Sequence, residues 1–89
     1  MTFLNQCTHL GTIQDVSPSS GRECAECLAI GNRNWVRLRL CLSCGNVGCC
    51  ESSPYQHAQA HFERTSHPII RSFQPGEAWR WCFVDETLV

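Results

Sequence analysis

Cys41-Leu-Ser-Cys44-Gly45-Asn-Val-Gly48-Cys49-Cys50, continued by Glu51-Ser-Ser-Pro54-Tyr-Gln-His57-Ala-Gln-Ala-His61-Phe-Glu-Arg-Thr-Ser-His67-Pro68, is the stretch on which the reading of this chain turns. Cys-x-x-Cys with a glycine directly after it lets two thiolates face one ion while backbone amides fold around the sulfurs, which is a metal knuckle. Ser53-Pro54 reads as a helix cap with proline at the first helical position, so a helix is expected over about 54–65. His57 and His61 then lie four apart on one face of it. His67 follows a Thr-Ser break and precedes Pro68, where a helix must stop. The segment holds more ligands than one ion can use.

The rest of the chain supplies the remainder. With 89 residues the sequence is read as a single domain, 1–89, too small for a hydrophobic core alone to give comfortable stability. Eight cysteines and four histidines are enough donors for three tetrahedral sites. No basic or apolar leader opens the chain, and Cys-x-x-Cys units interleaved with His favour zinc over a secreted disulfide framework. A soluble, cytoplasmic, monomeric protein is expected, since no apolar run reaches the roughly 20 residues of a membrane span. A net charge of -1 and a pI near 6.4 argue against nucleic acid as a partner. Lysine is absent, and all seven basic residues are arginine.

Cys7-Thr-His9 is a weak ligand pair by itself. Residues 10–23 alternate weakly at Ile13 and Val16, as a short edge strand would, and end in a Ser-Pro-Ser-Ser-Gly loop. Cys24-Ala-Glu-Cys27 is the first knuckle, followed by a single helical turn over 28–31 that Gly31 closes. Residues 35–40 alternate as a half-buried strand, with Trp35, Arg37 and Arg39 on one side and Val36, Leu38 and Leu40 on the other. Gly45 to Gly48 reverses the chain. Adjacent residues of an extended segment point to opposite sides, so Cys49 and Cys50 do not both reach one ion, and one of them is a spare buried thiol. Residues 68–73 and 78–83 read as strands joined by a Pro-Gly turn. Trp79, Trp81 and Phe83 share a face that reads first as core. Cys82 and Asp85 have the spacing of a knuckle whose second ligand is a carboxylate, and they can complete a site begun by Cys7 and His9.

This order of ligands resembles the UBP-type zinc finger, the ubiquitin-binding module of deubiquitinases, and most of all its stand-alone prokaryotic members. The resemblance runs from Cys7 to Asp85. It implies an α+β fold, a small twisted, mainly antiparallel sheet with one main helix, built around three interleaved zinc ions, or two if the weakest site is empty. Carried over, Cys24, Cys27, Cys49 and His57 form one site, Cys41, Cys44, His61 and His67 a second, and Cys7, His9, Cys82 and Asp85 a third. The offset of Cys49 from Cys44 fits the family, whereas Cys50 restores the usual distance to His57. By the same resemblance Trp35, Trp81 and Phe83 stand near the peptide pocket. The family's carboxylate-binding arginine corresponds to the region of Glu51, so ubiquitin-tail binding is not expected.

No ligand position is evidently left open for catalysis, and the chain is not expected to be an enzyme. Two functions remain. One is a protein-interaction module that takes a peptide C-terminus or loop in an aromatic cleft. The other is a purely structural or redox-responsive zinc domain. A cleft containing Trp81 with Arg37 or Arg39 favours the first, and a filled aromatic face the second.

Overall fold

The computed structural model describes residues 8–89. Five strands, β1 (Leu38–Cys41), β2 (Val47–Cys49), β3 (Ile69–Ser72), β4 (Arg80–Cys82) and β5 (Thr87–Leu88), form one antiparallel sheet in the order β2-β1-β3-β4-β5. Helix α1 (Ala25–Ala29) precedes the sheet, and α2 (His57–Thr65) connects β2 to β3. This is the expected α+β architecture.

The register divides the sheet into two faces. Leu38 lies opposite Cys49, Leu40 opposite Val47, and Ile69 opposite Cys82. These six share one face and pack with Cys24, Cys27 and Leu42 into the core. The other face carries Arg39, Gly48, Ile70 and Trp81. Helix α2 lies over Gly48 on that second face.

The local elements depart from the sequence reading in instructive ways. The main helix starts at His57, not at Pro54. The Ser53 hydroxyl accepts a hydrogen bond from the Val36 amide at 2.8 Å, so it ties down the approach to β1 instead of capping a helix. Gln56, in the left-handed region at φ 50°, is the residue that turns the chain into α2. The first helical turn begins at Ala25 and includes the knuckle, because the Cys24 sulfur takes the capping role and accepts from the Cys27 amide. Gly31 closes it at φ 77°, as expected.

Leu10–Thr12 forms a 3-10 turn, and no strand occurs between residues 10 and 23. Strand β1 begins three residues later than its alternation suggested and is buried on both faces. It lies between β2 and β3, and on its second face Arg39 is covered by Trp79 and paired with Glu51. The reversal at Gly45 ends in strand β2, and the two residues of β5 carry no period that a sequence could display. No helix among the described residues is long and apolar enough to cross a membrane.

Candidate metal centres

Three clusters of donor atoms form where the elements meet, each with its atoms within 4.8 Å of one another. The first joins Cys24 and Cys27 of the α1 knuckle, Cys49 at the end of β2, and His57 at the start of α2. His57 Nδ1 lies 3.3 Å from the sulfurs of Cys24 and Cys27 and 3.4 Å from that of Cys49, while the Cys27 and Cys49 sulfurs are 3.7 Å apart. A tetrahedral ion with Zn–S of about 2.3 Å and Zn–N of about 2.0 Å sets sulfurs about 3.8 Å apart and sulfur and nitrogen about 3.5 Å apart, within a few tenths of an ångström of these distances. The spacing fits such an ion. The His57 and Cys27 amides donate to the Cys49 and Cys24 sulfurs, as they must where thiolates are buried. Tyr55 stacks on the His57 ring at 5.7 Å between centroids and fixes its plane.

The second cluster joins Cys41 at the end of β1, Cys44 in the following turn, His61 one helical turn beyond His57, and His67 in the segment leading to β3. Cys44 Sγ is 3.3 Å from His61 Nε2, and Cys41 Sγ is 3.6 Å from His67 Nδ1. Gly45, at φ 86°, makes this turn, and a Cβ there would collide with the Ser17 carbonyl. Unlike the three sulfurs of the first cluster, Cys44 is exposed.

His9, Cys82 and Asp85 make the third cluster. His9 Nδ1 is 3.0 Å from Asp85 Oδ2, and Cys82 Sγ lies 3.6 Å from each. Cys7, the fourth ligand of the sequence reading, lies outside the described residues.

The chemistry of the donors fits a divalent cation. Burial is the chief cause that pushes the thiols of Cys24, Cys27, Cys41 and Cys49 above their ordinary value, outweighing the hydrogen bonds that lower them. Several thiolates packed together without a cation would repel one another in a poorly solvated place; a bound ion stabilises their ionised form. Burial, with His67 and Arg64 nearby, holds His61 below its ordinary value, which keeps the ring neutral and able to donate a lone pair. Cys50 stands apart, fully buried with its sulfur 3.5 Å from the Ser53 hydroxyl. Burial raises its thiol, but Ser53 and backbone groups at Ser52 and Arg37 outweigh that and leave it lowered.

Beside the clusters, on the α2 face of the sheet, lies a cleft of about 510 Å³. Gln59 and Phe62 of α2 form one wall, and Ile70, Trp79, Trp81 and Phe83 the floor and the other wall, with Glu51 and Glu86 at the rim. Phe62 and Phe83 stack at 4.9 Å. Trp81 and Phe83, named from the sequence, are thus brought together with Trp79, whereas Trp35 packs against the core cluster and is not among the lining residues. Phe62, Gln59, Ile70 and Glu86 went unnoticed. Phe62 follows a metal-facing histidine directly, which places it off the ligand face of the helix, and that offset was the available signal.

A small α+β domain in which Cys/His clusters clamp a short sheet to two helices belongs to the zinc-binding domains. More specifically, the sequence profile of the Zn-finger in ubiquitin-hydrolases and other proteins matches residues 24–89, and the chain belongs to that family. The chain is similar to protein RPA1320 from Rhodopseudomonas palustris, known from a solution NMR structure. The two share 50% identity with a TM-score of 0.83, over 99% of this chain and 82% of that one. It is also similar to the NAD-dependent deacetylase sir2A of Dictyostelium discoideum, 38% identical over 58 residues, or 65% of this chain. The match spans 10% of the deacetylase's own length.

Proposed function

We propose that the chain is a protein-interaction module holding three zinc ions, with the cleft between α2 and strands β3 and β4 as its peptide-binding site. Cys7 joins His9, Cys82 and Asp85 at the third ion. The observation that carries the peptide reading is the cleft itself: four aromatic side chains line an open concavity beside metal-pinned elements instead of closing into core. Aromatic walls with a few polar groups at the rim are the usual make-up of a recognition site. Rigid walls lower the ordering cost of binding, and here the clusters at His57 and His61 hold the helix that forms one wall. A family named for ubiquitin-hydrolases, and a match confined to a small part of a deacetylase, suit a recognition element attached to larger enzymes.

Neither Arg37 nor Arg39 lines the cleft, which weighs against capture of a terminal carboxylate and leaves an internal loop or side chain as the ligand. Titration of isotope-labelled, zinc-loaded protein with a panel of short peptides of varied charge tests the reading. Shifts confined to the Trp79 and Trp81 indoles and the Gln59 amide are expected from at least one class. If every class leaves those signals unmoved, the domain is a purely structural or redox-responsive zinc unit.

A further inference from the structure

None of the seven arginines lines the cleft, whereas two of its eight lining residues are glutamates. The sheet register accounts for part of this. Arg71 and Arg80 pair opposite each other on the core-side face, while Ile70 and Trp81 pair on the cleft side. The one arginine on the cleft-side face of the strands, Arg39, is only 4% exposed. Its guanidinium lies over the Trp79 ring at 4.5 Å and reaches Glu51 at 3.5 Å. Its charge is therefore spent within the fold. Glu51 remains 65% exposed, and Glu86 is exposed with no ion-pair partner among the described residues.

Aromatic faces attract cations through their quadrupole, and a carboxylate at the rim completes such a site. Trp79 already carries Arg39 on one side, so Trp81, over which no cation lies among the described residues, is the ring available to a ligand.

We infer that the cleft receives the side chain of an arginine in a partner peptide, its guanidinium stacked on Trp81 and paired with Glu86 and Glu51. A planar, weakly hydrated guanidinium suits a flat indole beside a carboxylate better than a compact ammonium does. This inference rests on the peptide reading of the same cleft and gives that reading the opposite charge preference to a carboxylate-binding pocket.

The test uses the zinc-loaded full chain and an N-acetylated, C-amidated pentapeptide of glycine and serine with one central arginine. Its twins carry citrulline or lysine at the centre, and a fourth peptide is uncharged at the centre and ends in a free carboxylate. The arginine peptide is expected to shift the Trp81 indole signal and to weaken with added salt. Citrulline should lose most of the binding, and Glu86→Gln should weaken it about fivefold in a protein with an unchanged thermal transition. Equal binding of citrulline, or tighter binding of the lysine or free-carboxylate peptide, overturns the arginine inference while leaving a peptide site. Silence from all four peptides and from the wider panel overturns both.

Discussion

Gly48 of β2 lies directly under the backbone of Ala58 in α2: a Cβ built on Gly48 would come within 2.7 Å of the Ala58 nitrogen and 2.9 Å of its Cα. That contact seats the first turn of α2 on the sheet and brings His57 beside Cys49 in the first cluster. The glycine is required here for space, since its φ is an ordinary one. Gly48→Ala is expected to destabilise the domain by about 1–3 kcal/mol through overpacking against backbone that cannot swing away. It should also weaken zinc at the first cluster more than at the second. Denaturant unfolding at fixed zinc measures the first effect, and competition with a chromophoric chelator the second. A variant as stable as the parent would show that the helix has room the contact denies.

Metal removal is expected to abolish the fold, because a chain with so small a core draws much of its stability from its ions. Native mass spectrometry should count three zincs, and strong chelation should erase the cooperative thermal transition. A count of two assigns the vacancy to the cluster of His9, Cys82 and Asp85, where a carboxylate replaces sulfur. A metal-free protein that still melts cooperatively would contradict the expectation outright.

The first two clusters should differ in lability. Cys24, Cys27 and Cys49 are fully buried, whereas Cys44 is exposed. Chelators and thiol oxidants reach Cys44 first, so the second cluster is expected to lose its ion in an earlier kinetic phase. Cys44 modification, read by peptide mapping at partial zinc loss, checks the order; first modification at Cys24 or Cys27 would reverse it.

The adjacent cysteines make a paired test. Cys49→Ser is expected to cost one zinc and much of the stability. Cys50→Ala should retain every zinc and cost about 1 kcal/mol of packing, since Cys50 touches Ser53 and stands outside the clusters. The opposite pattern would exchange their roles.

Acid should undo the domain in a definite window. The folded state holds His61 below its ordinary value of 6.5, so unfolded chains bind more protons there just below pH 6.5. Stability from this group is present above that pH and lost as pH falls through the folded value. Competition between protons and metal at the ligands acts in the same direction. Cysteine thiols of the unfolded, metal-free chain are mostly protonated at neutral pH, so zinc uptake is expected to release about one proton per cysteine ligand. Calorimetry in buffers of different ionisation heat measures that number. Release of none would mean the thiols were already ionised.

What the sequence disclosed followed from how local each signal is. The knuckles, the His57–His61 offset and Gly31 as a helix end are contained within a few residues, whereas the grouping of donors into three sites comes from the family resemblance, which leaves Cys49 and Cys50 both open as the ligand; the clusters take Cys49. Helix α2 was placed three residues early because the cap signal of Ser53-Pro54 is local, whereas the Val36 amide that claims the Ser53 hydroxyl comes from another part of the chain. Resemblance alone places Trp35 near the pocket, and in the fold it lies ahead of β1 and packs against the core cluster. Strand β5 is two residues long and shows no period, and the Phe62 wall depends on which face α2 presents, which the backbone contact at Gly48 helps to set.

The same geometry bears on a free Gly-Gly tail, which this domain is expected to bind weakly or not at all. A guanidinium paired with a terminal carboxylate in a dry pocket is a contact whose loss costs about 2 to 5 kcal/mol. Here the rim of the cleft carries Glu51 and Glu86, and the nearest guanidinium, that of Arg39, already faces Glu51 at 3.5 Å from beneath Trp79. A carboxylate entering the cleft would meet like charge first and would have to displace Glu51 to reach Arg39. For a peptide ending Arg-Leu-Arg-Gly-Gly, the amidated form is therefore expected to bind at least as well as the free acid, through its arginines. Glu51→Gln provides the complementary arm. Removing that charge should improve the free acid relative to the amide, because it relieves the repulsion and leaves Arg39 without its partner. Micromolar binding of the free acid that disappears on amidation, in the unmodified protein, would show this wrong and would make Arg39 the carboxylate anchor.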